Sequence, residues 1–528
     1  LTQLLVYFAL AAALFSSTWI HPADSWIGSP KDPQLFIWYL GWIPHQLAQG
    51  LNPLFTDHLN YPYGVNLMWN TSMIFPAVVL WPVTALFGPV VAYNVLVTAG
   101  IALSAWLGFL AARRFIDSTR WCFIAGLIYG FSPALMAQSM GHPHVMVALF
   151  PPIALILGHE ILVRRRLHWA FAGALAGVAA ALQLLTGEEL LAVTLLVAAI
   201  GVAFLLPLAP HALKAAGVAL TVFAIVAAYP LGFQFFGPQR LSGSLQDQDV
   251  YVSDLLALFV PGRFINFTGN FAENGAYVGL PLVALFAAGL IIGWKKPAMR
   301  WLGLMTAITA ILSLGPHLHI NGFVTPIPLP WAAIAWLPLM GSALPSRLMA
   351  IAFLGIGIVV AALPRRRTTA VSLVISLAAI LPSLPYPSQP AVVPAFFKAG
   401  GDVERMSPGT VAMVTPFSSH ESTDAMYWQA VAGYRFKMPE GDAFTPGPYL
   451  GPHPSFMQST LDGLGAGQAV AVTDDIRTRF LADLHAHRVT TILAGPSPGQ
   501  ATIVDFLTAV VGTPPHDDGG VKVWWQLR

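Results

Sequence analysis

Nine of the eleven Asp and Glu residues before position 388 fall at ends of apolar runs or in loops on the side away from the basic clusters: Asp24, Asp32, Asp57, Glu188, Glu189, Asp247, Asp249, Asp254 and Glu273. Ionisable groups beside apolar segments are costly to keep, so several on one rim point to a site; for Asp24, Asp57 and Asp247 plain contact with water is the alternative. Asp32, in GSPKDPQLFIWYLGW, precedes Pro33, which holds the residue before it extended and helps to fix the direction of its carboxylate. The same residues also read as a helix start, with Asp as the cap and Pro at the first position. Glu188 and Glu189, in LLTGEELLAV, and Glu273, in ENGAYVGL, each open a helix, so capping competes with ligand binding. His142 and His144, in MGHPHVM, would share a metal only on an extended backbone, which Pro143 favours for His142; no third ligand follows from the spacing, and hard cations prefer carboxylate. Arg347, in ALPSRLMA, offers the planar guanidinium that suits phosphate, against the alternative of an arginine snorkelling at a helix end.

The elements that must carry these residues are membrane helices. The chain has 528 residues, 56% hydrophobic and 9% charged, with a mean hydropathy of +0.66, far from the roughly 25% charged residues of soluble domains. A net charge of +2 is too small to point to nucleic acid. The single cysteine, Cys122, allows no intrachain disulfide and says nothing of redox compartment. Apolar runs near 1–20, 91–112, 121–138, 146–163, 168–186, 190–209, 213–235, 277–294, 301–315, 347–364 and 368–386 predict eleven spans. The run at 1–20 reads as a first span and not a cleaved leader, because no small-residue cleavage site follows it; a start at Leu1 leaves room for a short missing piece.

Basic clusters at Arg113, Arg114 and Arg120, at Arg164 to Arg166, at Lys214, at Lys295, Lys296 and Arg300, and at Arg365 to Arg367 fall at every second connection. They put 13 Lys/Arg inside and four outside: Lys31, Arg240, Arg263 and Arg347. The stretch 73–87, MIFPAVVLWPVTALF, is short and carries Pro76 and Pro82, so an interfacial or re-entrant helix is expected there.

From residue 388 the composition turns polar, with 9 Lys/Arg and 13 Asp/Glu. GTVAMVTPF and RVTTILAG read as buried strands, DDIRTRFLADLHAH as an amphipathic helix, and VKVWWQLR as a last strand. The expected architecture is a mainly α polytopic membrane protein of about eleven helices over 1–387, with a large first outer loop at 21–90, followed by a small α/β domain at 388–528 outside the membrane. That tail has no Gly-rich phosphate loop, nucleophile elbow or CxxC, which favours docking or acceptor recognition over chemistry.

This pattern resembles the GT-C fold integral membrane glycosyltransferases, in particular the multi-span proteins of this kind common in actinobacteria. The residues that carry the resemblance are Asp32 in its loop, GLNPLFTDHLNYPYGVNL, GHPHVMVALFPPIALI, ENGAYVGLPL and LPSRLMAIAFL. The resemblance implies a polyprenyl phosphate sugar donor, a cell-envelope glycan or glycolipid as acceptor, and the outer face of a bacterial plasma membrane, with membrane lipids and no nucleic acid as partners. It also implies Asp32 as the general base of an inverting transfer of arabinofuranose or mannose. One carboxylate suffices, because a phosphodiester leaves without protonation.

On the same footing Arg347, His142 and His144 would bind the donor phosphate, ahead of Arg240 and Arg263, and Glu188, Glu189 and Glu273 the sugar or acceptor. A divalent metal is possible but not favoured, and no other cofactor is indicated. The rival readings are a lipid or polymer transporter, or a non-catalytic scaffold of similar fold; a transporter would place its polar site at mid-bilayer, whereas the interiors of these spans carry almost no charge.

Overall fold

The computed structural model describes residues 1–242, 246–267, 275–337, 340–418, 422–447, 451 and 454–527. They form two compact units. The first comprises Leu1–Pro22, Asn94–Ala228 and Gly243–Ser388, and the second Ala23–Tyr93, Tyr229–Ser242 and Gln389–Arg528. This division departs from the boundary expected at 387/388, because the residues after 388 share a unit with most of the first loop.

The first unit is helical. Among the described residues, four helices are long and apolar enough to cross a membrane: Pro89–Ala112, Thr119–Gln138, Pro143–Arg164 and Pro210–Phe236. The other seven runs read as spans fall on helices of 13 to 17 residues, among them Thr2–Leu14, Trp169–Leu184, Glu188–Ala203 and Pro345–Ala361. At about 1.5 Å per residue these are shorter than the roughly 30 Å apolar core of a bilayer. By length and composition, then, four of the eleven expected spans qualify. The centre of the unit is the helix Leu348–Ala361, buried at every position but Ile351, with no polar face.

In the second unit the stretch 73–87 is two short helices, Ile74–Val79 and Trp81–Phe87, neither long enough to cross. The helix Asp32–Ala48 starts one residue earlier than a cap at Asp32 requires: Lys31 is the cap, without a side-chain capping bond, and Asp32 is the first helical residue. Asp32 is therefore neither the cap nor held extended. With Pro33 in the first turn, where no amide hydrogen is needed, the helix tolerates this start, and the carboxylate still gains from the positive end of the helix dipole.

A polar lattice ties this helix to the helix Asp424–Val431. The Trp38 indole donates to Gln429 Oε1 at 2.8 Å, Gln429 Nε2 donates to Phe436 O at 2.8 Å and His58 O at 3.0 Å, and the Tyr434 hydroxyl donates to Trp38 O at 2.7 Å. Gly41 is required by this approach, because a Cβ there would lie 2.2 Å from Tyr434 Oη. Gly41→Ala gains up to about 1 kcal/mol of helix propensity yet must push a packed, hydrogen-bonded tyrosine. It is expected to destabilise the protein by about 1–2 kcal/mol net, read as a lowered midpoint of thermal unfolding in detergent.

Residues after 388 build a five-stranded sheet in the order His516–Asp518, Val521–Trp524, Thr491–Ala494, Thr410–Thr415, Phe436–Lys437. The last three are parallel and the first two antiparallel. The helices Asp474–Ala486 and Gln500–Val511 cover it through Phe480, Leu484, Phe506, Leu507 and Val510, packed with Met413 and Ile492.

Beside the short strand pairing, Glu440 is 3% exposed and accepts the Val414 amide at 2.9 Å on Oε1, while Oε2 has no hydrogen-bond partner among the described residues. Burial pushes this carboxyl up from 4.5 to about 8, so it folds as the neutral acid. A folded value above the unfolded one gives a contribution present in full below about pH 4.5 and lost as pH rises through about 8. Glu440→Gln, a neutral mimic, is expected to flatten that dependence and to gain on the order of 2–4 kcal/mol over the native residue at pH 8, with little difference at pH 4. Thermal unfolding across that range checks it.

Candidate active site

Within the first unit, three of the residues singled out in the sequence come together. The turn Pro345–Arg347 feeds directly into the buried helix Leu348–Ala361, which leaves Arg347 only 9% exposed. A cation at a helix N-terminus stands at the wrong end of the dipole and, when buried, requires a partner. Glu189 supplies it: the guanidinium Nη1 donates to Glu189 Oε2, and the Leu344 amide donates to Oε1 at 2.6 Å. The carboxylate thus holds both the side chain and the backbone of the turn that carries it.

Glu189 lies in the first turn of the helix Glu188–Ala203, where a negative charge is favoured. The turn before it fits closely, since a Cβ on Gly187 would lie 2.8 Å from His144 O. Gln183 Nε2 donates to Gly187 O at 2.9 Å and fixes the same turn.

His144 completes the group, its Nε2 standing 3.4 Å from Arg347 Nη1. A guanidinium can only donate, so any hydrogen bond between the two runs from Arg347 to the imidazole. His142 and His144 are not on an extended backbone: His142 precedes the turn Pro143–Met146, and the two rings meet edge to face at 5.8 Å. No three His, Cys, Asp or Glu side chains among the described residues gather to hold a metal ion.

Three further acids of this unit have local work. Asp254 accepts the Leu256 and Gly322 amides at 2.8 and 2.9 Å. Asp249 meets His317 Nδ1 at 2.7 Å and His319 Nε2 at 3.7 Å, and Asp247 accepts the Asp249 amide. Glu188 shares the first turn with Glu189. Glu273 lies outside the described residues.

Asp32 belongs to the second unit. Two residues on, Gln34 is 4% exposed and donates through Nε2 to Asp424 Oδ1 at 2.7 Å. Thr423 Oγ1 donates to Lys31 O at 2.8 Å, and Ser422 Oγ to Asp424 Oδ2 at 3.3 Å. Two packed helices therefore each open on an aspartate, Asp32 and Asp424.

Asp424 was not singled out in the sequence, and neither was Lys437, whose ammonium donates to Asp57. His58 Nδ1 lies 3.2 Å from the same carboxylate, and His58 and Lys437 together hold Asp57 well below the usual carboxylate range. Asp57 is thus a paired acid and not one that merely faces water. The partners Asp424 and Lys437 lie some 380 to 390 residues along the chain from theirs, a separation at which spacing carries no signal.

No family model matches the sequence, and no curated protein does. Solved structures do match. The chain is similar to the arabinofuranosyltransferase AftD from Mycobacteria, with a TM-score of 0.57 and 16% identity over 94% of this chain and 35% of that one. It is similar also to the oligosaccharyltransferase of Archaeoglobus fulgidus in its apo form, with a TM-score of 0.50 and 14% identity over 94% of this chain and 69% of that one. The chain spans about a third of the length of AftD. At such identities the likeness is one of fold, and it runs through nearly the whole of this sequence: the chain has the fold of the GT-C glycosyltransferases.

Proposed function

We propose that the chain is an inverting glycosyltransferase of a bacterial plasma membrane, which moves arabinofuranose or mannose from a polyprenyl phosphate to a cell-envelope glycan or glycolipid at the outer face. The observation that carries this reading is the buried Arg347, held by Glu189 and flanked by His144, on a GT-C fold. A guanidinium fixed in direction, at the end of an apolar helix, is suited to the phosphate of a lipid-linked donor. The likeness to an arabinofuranosyltransferase favours arabinofuranose over mannose.

In this mechanism Asp32 takes the proton of the acceptor hydroxyl as that oxygen attacks the anomeric carbon. The new C–O bond forms on the face opposite the phosphate, the bond from the anomeric carbon to the phosphate oxygen breaks, and polyprenyl phosphate leaves with the electron pair. Arg347 neutralises the charge that develops on the leaving phosphate, and Glu189 keeps Arg347 in place rather than binding sugar. His144 contributes to the phosphate pocket, with His142 beside it. Glu188 and Glu273 remain the acids assigned to sugar or acceptor. The tail at 389–528 lies outside the membrane, on the side where the acceptor is found.

The test is transfer of radiolabelled sugar by the purified protein from decaprenyl phosphate arabinofuranose and from polyprenyl phosphate mannose to envelope glycan acceptors. Transfer from either supports the reading. Absence of transfer from both, by protein that is folded and monodisperse in lipid nanodiscs, overturns it in favour of a transporter or scaffold.

A further inference from the structure

The second unit contains a cavity of about 910 Å³, inside the roughly 300–1,000 Å³ range of sites that bury a small organic ligand. It does not belong to the surroundings of Asp32. The helix Asp32–Ala48 contributes Trp42, His45 and Gln46 to its wall, and Gln49 follows the same helix. At 1.5 Å per residue these stand about 15–25 Å along the axis from Asp32.

The wall has a definite chemistry. Its ionised groups are already engaged within the protein: Asp57 takes hydrogen bonds from Lys437 and His58, and Arg435 donates through Nε to Met406 O and through Nη2 to Glu404 O. A free anion entering would meet a carboxylate held firmly in its ionised form. What remains is planar amides and aromatic faces. Asn52 uses its oxygen on the Leu54 amide, and Gln49 Nε2 lies 2.8 Å from His45 Nε2, which leaves the Asn52 amide hydrogens and the Gln49 oxygen. Trp42, 1% exposed, backs the wall with its indole N–H buried. Phe55 and Phe233 present further ring surface on the wall.

Amide groups that can donate and accept, set among aromatic side chains with the ionised groups already hydrogen-bonded within the protein, match a neutral polyhydroxylated ligand: hydroxyls meet the planar polar groups and the C–H faces of the ring meet the aromatics. We infer that this cavity is a second, non-catalytic binding site for a neutral oligosaccharide, one that holds a glycan chain at a distance from Asp32. The choice of a glycan rests in part on the transferase reading above. The cavity and its distance along the helix do not.

The experiment is isothermal titration of the full-length protein in nanodiscs with arabinofuranosyl and mannosyl tetrasaccharides, and with inorganic phosphate and anionic phospholipid vesicles as alternative probes. One tetrasaccharide is expected to bind, with affinity at least tenfold weaker in Asn52→Ala and in Gln49→Ala, whose side chains are exposed and whose folding is therefore not at stake. Asp32→Asn is expected to bind the tetrasaccharide as the unaltered protein does. Binding that ignores both cavity substitutions overturns the inference, as does failure of both tetrasaccharides to bind or a preference for phosphate or lipid over sugar. If transfer is absent while a tetrasaccharide still binds through Asn52 and Gln49, the transferase reading fails and the site stands. If transfer is present without such binding, the reverse holds.

Discussion

Asn at position 32 is expected to lower sugar transfer by about 10²–10⁴-fold, the usual contribution of a positioned general base. The loss should fall on kcat with little change in KM for the donor, because an amide of the same shape keeps contacts made in the ground state and removes only the proton acceptor. Folding is a minor concern. Asp32 is a first-turn residue of its helix and not its cap, so the helix itself loses about 0.3–1 kcal/mol of dipole interaction with the charge. Asp424 is the control that makes the result decisive. It opens the helix packed against that of Asp32, and its carboxylate is anchored by Gln34 and Ser422. If Asp424→Asn lowers kcat as much and Asp32→Asn does not, the base is Asp424 and the assignment to Asp32 is overturned. If both fall, the rate against pH separates them: removal of the base abolishes the acidic limb of the profile, while removal of a neighbour shifts it.

The membrane character of the chain was legible because it is written in composition and in runs of local sequence, and so were the strands at 410–415 and 491–494 and the helix at 474–486. Each of these depends on neighbours within a few residues. The helix lengths were less legible. An apolar run such as 1–20 contains a break at Phe15 that hydropathy does not register, since burial and helicity are separate properties. The start of the helix at Asp32 was misplaced by one residue, because the Asp-Pro pair fits both a cap and a first turn.

The candidate site divides in the same way. Arg347 stood out as one of few basic residues beyond the cytoplasmic clusters, and Glu189 as one of two adjacent acids at a chain reversal. That the two would pair was invisible, because 158 positions separate them. The pairing of Asp57 with Lys437 was hidden for the same reason, and it turns an acid that looked solvent-facing into a held one.

Glu189→Gln is expected to destabilise the protein by about 3–5 kcal/mol, the usual result of leaving one member of a buried ion pair without its counter-charge. Gln would still accept the Leu344 amide but would return no negative charge to Arg347, which is 9% exposed. Arg347→Met is expected to destabilise by a similar amount, because the Glu189 carboxylate then faces an apolar side chain. The double variant Glu189→Gln/Arg347→Met removes both charges and should recover much of the loss, as replacement of buried pairs by apolar groups commonly does, so that the two substitutions are strongly non-additive. Activity separates structure from chemistry here. If the pair only braces the turn before Leu348–Ala361, the double variant regains transfer along with stability. If Arg347 meets the donor phosphate, the double variant folds yet transfers about 10²–10³-fold more slowly, the cost of removing one preorganised charge partner from a transition state. Unfolding midpoints of the four proteins in nanodiscs, set beside their transfer rates at saturating donor, decide it. A stable double variant with native transfer would leave Arg347 a structural residue and move the phosphate site elsewhere.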